Sequence, residues 1–145
     1  MRAALSEADQ AALEGEVPVG AVIQRNGAII ARAHNRCESL TDPTAHAELL
    51  AIQAAARVLG FQRLTDCALY VTLEPCAMCA GAIRLARLKF VYFGAADPSL
   101  GCCGSVYRLT EDPALGGFIP ASGGLLEDEC ATRLSRFLLN INKEQ

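Results

Sequence analysis

Two short runs hold the residues whose types and spacing could do chemistry. The first is Asp42-Pro43-Thr44-Ala45-His46-Ala47-Glu48. The second is Thr72-Leu73-Glu74-Pro75-Cys76-Ala77-Met78-Cys79-Ala80-Gly81. One brings an imidazole and a carboxylate two positions apart, the other two thiols three apart behind a proline. Zinc favours four tetrahedral ligands drawn from nitrogen and sulfur, and a catalytic zinc leaves one position to water. His46, Cys76 and Cys79 offer three such ligands. Cysteines at i and i+3 share one helical face, within reach of one ion. Pro75 suits a first helical turn, where its missing N–H costs nothing. A helix N-terminus also favours thiolate over thiol. Glu48 falls about 200° around a helix from His46. That is too displaced for a fourth ligand and near enough to move a proton. Zinc brings the pKa of a bound water toward about 7, and a carboxylate can take that proton and return it to a leaving group. The competing reading makes His46 a core histidine and the thiols small apolar fillers. Both runs together, in this order and with proline before the first cysteine, argue against it.

The elements that must position these groups follow from the flanking pattern. Asp42 or Thr44 can cap a helix running from Glu48 to Arg57 and ending near Gly60, with His46 in its first turn. A buried strand, Ala68–Thr72, delivers Glu74 and the cysteines, whose helix continues to about Arg87. A further strand, Lys89–Phe93, is stopped by Gly94. Upstream, residues 1–14 read as a helix with Leu5, Ala8, Ala12 and Leu13 on one face and Gly15 at its end. Glu16–Gly20 is a loop into the strand Ala21–Gln24. Asn26-Gly27 is a strong hairpin signal, so the next strand, Ala28–His34, pairs antiparallel with it. Strands alternating with helices imply parallel pairing and helices on both sheet faces. Ligands at strand-to-helix transitions fit sites that lie beyond strand carboxyl ends. Residues 95–124 are rich in glycine and proline and form a rim or lid, with Phe118–Ala121 as an edge strand. The last helix opens at Glu127, Asp128 and Glu129, and its apolar stripe is Cys130, Leu134, Phe137, Leu138 and Ile141.

The length of 145 residues predicts one domain with a real core. Apolar residues at 52% against 20% charged exclude a disordered chain. A net charge of −3 does not advertise nucleic-acid binding, although it leaves room for a local basic face. The N-terminus carries acids where a signal peptide needs an apolar run. No apolar run approaches the ~18 residues of a membrane span. An odd cysteine count without a secretion signal points to a reducing cytosol. Cys37, Cys67, Cys102, Cys103 and Cys130 read as packing residues, with the adjacent pair Cys102-Cys103 open to oxidation if it lies on a loop.

A His-x-Glu followed by Pro-Cys-x-x-Cys is a known signature of zinc nucleobase deaminases. Over nearly the whole chain the sequence resembles the cytidine-deaminase-like superfamily, and within it the bacterial tRNA-specific adenosine deaminases. The specific parts are Glu16–Val22, Asn35-Arg36, Asp42–Glu48, Ala68–Ile83, Phe93–Ala95, Gly104-Ser105, Gly124–Leu126 and Asp128–Cys130. The resemblance implies a single deaminase domain over residues 1–145. It implies a three-layer α/β/α sandwich around a five-stranded mixed sheet, and a homodimer whose partner subunit helps bind substrate. It implies one Zn2+ per subunit on His46, Cys76 and Cys79, with Glu48 as proton shuttle. The reaction would convert adenosine to inosine in the tRNA anticodon loop, at the wobble position. By the same resemblance Asn35 would hydrogen-bond the nucleoside and the Ala47 backbone would contact the base. Val19 and Pro18 would wall the pocket, and Asp97 would sit in a loop touching flanking nucleotides.

Two features depart from that branch. The chain ends Leu139-Asn140-Ile141-Asn142-Lys143-Glu144-Gln145 where many relatives carry a basic tail, and Gly116–Pro120 replaces polar or basic residues. Phosphate contacts dominate nucleic-acid affinity, so Arg84, Arg87 and Lys89 become the expected RNA-facing patch, with a solvated helix end as the plain alternative. A deaminase of free guanine or cytosine would use the same zinc and the same Glu48. A non-catalytic zinc- or RNA-binding scaffold is the rival from another class, and it predicts no loss of role on Glu48→Ala.

Overall fold

The computed structural model describes residues 1–145, and its element order follows the expected alternation. The helices are α1 (Arg2–Leu13), α2 (Ala47–Leu59), α3 (Ala77–Ala86) and α4 (Glu127–Lys143). The strands are β1 (Gly20–Arg25), β2 (Ala28–His34), β3 (Cys67–Leu73), β4 (Phe90–Ala95) and β5 (Ala121–Ser122). They form one mixed sheet in the order β2-β1-β3-β4-β5. Asn26 and Gly27 both take positive φ, 51° and 79°, the conformation of a tight hairpin turn, and β1 pairs antiparallel with β2. β1 also pairs antiparallel with β3, whereas β3–β4 and β4–β5 are parallel. The parallel pairing implied by alternation thus holds from β3 onward, where α3 supplies the crossover. No helix is long and apolar enough to cross a membrane.

α2 and α3 pack on one face of the sheet, where Ala47, Ala51, Ala55 and Ile83 meet Ile23, Leu69, Val71 and Val91 in the main core. α1 and α4 cover the other face around Leu5, Ala95 and Cys130. The layers are α/β/α, as expected. α1 lies so close to β1 that a Cβ on Gly20 would stand 1.9 Å from the Ala4 carbonyl oxygen. That approach sets which residues face inward: Ala4, Leu5, Ala8 and Ala11 are buried, and Leu13, expected on the inner face, is 82% exposed.

Gly94 does not stop β4 but lies inside it. A Cβ there would stand 2.2 Å from Cys130 Sγ, so the glycine makes room for α4 and is not a breaker. The edge strand is β5, two residues long and starting where Phe118–Ala121 was expected to end; Phe118 itself is exposed. Of the α4 stripe only Cys130 is buried; Leu134 packs half-buried against both core clusters, and Leu138 and Ile141 stay exposed. The expected basic patch loses one member, while Arg87 and Lys89 stay exposed. The Arg84 guanidinium donates to the carbonyls of Leu109 (3.2 Å) and Thr110 (3.3 Å) and of Leu115 and Gly116. It therefore fastens the 109–117 loop to α3 and is not free for phosphate.

Candidate active site

β3 ends at Leu73, and Glu74 begins the turn that delivers the thiols. Cys76 is the N-cap residue of α3, with extended backbone (φ −76°, ψ 178°), and Cys79 lies one turn inside. Pro75 therefore precedes the cap instead of occupying the first turn. Its fixed φ still sets the chain entering the helix. Opposite, His46 is the N-cap of α2 (φ −73°, ψ 150°) and not a first-turn residue. Neither Asp42 nor Thr44 caps that helix. Asp42 Oδ1 accepts from the Thr44 amide (2.8 Å) and hydroxyl (2.7 Å), closing a turn upstream that fixes the chain before His46. Two helices thus start on ligand residues, and both positive ends point at the site.

His46 Nδ1 lies 3.7 Å from Cys76 Sγ and 3.5 Å from Cys79 Sγ. All three ligand atoms are within 4.8 Å of one another. For a tetrahedral zinc with usual bond lengths, the N···S separation comes to about 3.6 Å. The donor set and its spacing fit zinc, with Nδ1 as the ligating nitrogen. At these distances the charge on one group sets the proton affinity of the others. Hydrogen bonds from Cys79 and His46 bring the Cys76 thiol down to about 3, while Cys79 is pushed up and His46 is raised by its bond to Cys76. Cys76 is the first thiol to ionise.

Glu48 is 4% exposed beside this triad, and burial pushes its carboxyl up to about 7. His46, Cys76 and Glu48 open onto a cavity of about 630 Å³. Val19, Asn35, Ala47 and Asp97 line it, with Glu48, His46 and Cys76, and Cys79 is fully buried behind them. Pro18 is buried beneath the lining and does not reach the cavity. Asn35 is 8% exposed, and its Oδ1 has no hydrogen-bond partner. A buried acceptor left unpaired costs about 1–3 kcal/mol, so this oxygen is suited to a donor brought by a ligand. The Asp97 carboxylate accepts from the amides of Ser99 (3.0 Å) and Leu100 (3.1 Å), shaping the rim loop.

The sequence pattern does not single out several of the lining residues. Glu16 is fully buried and accepts from the amides of Glu38 (3.1 Å) and Ser39 (2.7 Å). Glu74 is 2% exposed and accepts from the amides of Asp97 (3.1 Å), Cys103 (3.1 Å) and Ser105 (3.0 Å), and from the Ser105 hydroxyl. For Glu74 the signal is a lone acid at the end of an apolar strand; Glu16, two residues after Glu14, carries no such signal. Phe137 and Ile141 of α4 overhang the cavity mouth. Their helical spacing reads as core, and the structure places them on the cavity instead.

The family model for the zinc-binding region of cytidine and deoxycytidylate deaminases matches residues 1–95. The chain belongs to that deaminase family. A tRNA-specific adenosine deaminase of Bacillus subtilis (strain 168) is 46% identical over 145 residues, which is 100% of this chain and 90% of that protein. A solved structure from work on tRNA:A34 deaminases superposes with a TM-score of 0.89 at 46% identity, covering 92% of this chain and 97% of that one. Guanine deaminase from Bacillus subtilis superposes with a TM-score of 0.64 at 37% identity, covering 97% and 90%. Family members depend on zinc, and His46, Cys76 and Cys79 form a group that could hold such an ion.

Proposed function

We propose that this protein is a zinc-dependent hydrolase that converts adenosine to inosine at the wobble position of the tRNA anticodon. The observation that carries the chemistry is a buried Glu48 carboxyl, near neutral in its titration, beside a three-donor triad that opens onto a nucleoside-sized cavity. The choice of tRNA rests on the high identity to relatives named for that reaction.

His46, Cys76 and Cys79 would hold the zinc. When bound, zinc acts as a Lewis acid that makes water a nucleophile near neutral pH. Glu48 would take one proton from the attacking water and pass it to N1 of the adenine, and would then take the proton of the new C6 hydroxyl and pass it to the departing amine. Adenosine and water become inosine and ammonia. Burial raises the Glu48 carboxyl above its ordinary value, the direction that suits a group that both takes and returns a proton. Asn35 Oδ1 accepts a hydrogen bond from the nucleoside, and the Ala47 backbone at the start of α2 contacts the base. Val19 closes one wall and excludes water. Asp97 shapes the rim that meets flanking nucleotides. An unpaired anticodon base is splayed into such a pocket at little cost.

The homodimer and a cytoplasmic location belong to this reading. Exposed Leu85, Leu115 and Phe118 on α3 and its neighbouring loop are suited to cover by a second copy. Ammonia release tests the assignment, with an adenosine-34 stem-loop beside a panel of free bases and nucleosides, and Glu48→Ala as control. Turnover of the stem-loop alone, lost in the control, is expected. Turnover of free guanine with an inert stem-loop would move the protein to the small-molecule branch that the guanine deaminase fold likeness represents.

A further inference from the structure

Asn35 lies at the start of a segment fixed by acidic side chains at both ends. On one side, Glu16 holds the amides of Glu38 and Ser39. On the other, His34 stands between two carboxylates of α1 and the turn that follows it. Its Nδ1 is 2.8 Å from Glu7 Oε2, and its Nε2 is 2.8 Å from Glu14 Oε2. A neutral imidazole has one N–H and one bare nitrogen. Only the imidazolium donates to both carboxylates at once. Glu14 precedes Gly15, Glu16 and Val17, which line the cavity, and the Asn35 amide donates to Val19 O at 3.0 Å. The bridge therefore ties the α1 end of the cavity wall to the residue next to Asn35.

We propose that His34, as an imidazolium bridging Glu7 and Glu14, is a positioning residue that holds Asn35 and the 15–19 wall in register for substrate. This inference rests on the substrate role assigned to Asn35 above. Burial alone would lower the ring's pKa, but the two carboxylates outweigh it and raise it above its ordinary value. Arg32, two residues before His34 on β2, is exposed and forms no ion pair with Glu7 or Glu14, and the other charged groups nearby are engaged elsewhere. Asp9 pairs with Arg133, Arg25 with Asp66, and Glu16 with its two amides. Gln10 and Arg36 act on Glu14, not on the ring. α2 brings Glu48, at the triad, and Arg57, in its last turn. A raised pKa means the bridge is complete below about 6.5 and is lost as pH rises through the folded value.

The test uses the zinc-loaded full chain and the adenosine-34 stem-loop between pH 6 and 9. KM is expected to rise on the order of tenfold as His34 discharges, with kcat changing less than about twofold over the same titration after correction for the His34→Gln profile. His34→Gln should show the high KM at every pH, and His34→Arg, which keeps charge and two donors, the low one. The chain has two histidines, so 15N spectra of labelled histidine separate the His34 ring from the zinc-bound His46. Both His34 nitrogens should carry protons where KM is low. A bare ring nitrogen there, or a His34→Gln KM equal to wild type throughout, overturns the proposal. If His34→Gln does not fold, the exposed Glu14→Gln removes one arm and should lower the ring's pKa and raise KM together; no change in either overturns it. If the stem-loop is not a substrate, the Asn35 side-chain amide resonance decides without activity. Movement with the His34 titration supports the bridge, and a fixed resonance refutes it.

Discussion

Glu74→Gln isolates one side chain that supports the rim loop without touching the triad. Oε1 accepts from the Asp97 amide and the Ser105 hydroxyl, and Oε2 from the amides of Cys103 and Ser105. A glutamine must replace one of these oxygens with an NH2. Placed at the Oε2 position it would face two amides. Placed at Oε1 it faces only the Asp97 amide, because the Ser105 hydroxyl can turn and accept. The second arrangement wins, and the expected loss is one orphaned buried donor, about 1–3 kcal/mol. The lost partner belongs to Asp97, so the rim should loosen there first. Urea unfolding of the zinc-loaded protein should give a lower midpoint at unchanged slope, and stem-loop KM should rise more than kcat falls. The size of the loss depends on pH. Burial alone would raise the Glu74 pKa, but the Ser105 hydroxyl and the three amides bring it below its usual value. That stabilisation is present above about 4.3 and disappears as pH falls through the folded pKa. The gap between wild type and Glu74→Gln should therefore narrow on acidification. A loss below about 0.5 kcal/mol at pH 7, or a gap that widens in acid, refutes the account of Glu74 as an ionised loop anchor.

Glu48→Gln should lose about 10²–10⁴ in kcat while metal analysis still finds one zinc per chain. Chelation should abolish ammonia release and lower the melting temperature, because an ion bound only by the folded triad stabilises it by mass action; an unchanged Tm on verified metal loss contradicts the triad as its site. Gly94→Ala should cost about 1–3 kcal/mol by overpacking, since its Cβ would meet Cys130 Sγ at 2.2 Å. Cys130→Ala should return part of that loss in the double variant, as a double-mutant cycle in urea would show.

The convergence of the three candidate ligands is legible in the sequence because zinc chemistry restricts residue types and because short-range spacing survives folding. His46, Cys76 and Cys79 converge although both helices start later than their flanking pattern puts them. The hairpin is equally open to reading, since Asn26-Gly27 fixes its own turn. Long-range approaches are what the pattern hides. Gly94 looks like a stop in one dimension, and only the arrival of Cys130 from α4 makes it a strand residue. Leu13 looks apolar and inward until Gly20 brings the alanine face of α1 against β1. Arg84 looks like a free cation until the 109–117 carbonyls close on it. Pro18 shares the motif of Val19 but points away from the cavity, because successive residues of an extended chain face opposite sides.

The two buried carboxylates that fasten the cavity walls bear on how the substrate range of such a protein can drift. Glu16 grips the amides of residues 38 and 39, and Glu74 those of residues 97, 103 and 105. Those contacts are made mainly to peptide groups, which every residue except proline supplies. The side chains of the walls are therefore left almost unconstrained by the joints that hold them. Such a frame tolerates mutation in the parts that choose the substrate while keeping fixed the parts that carry out the reaction.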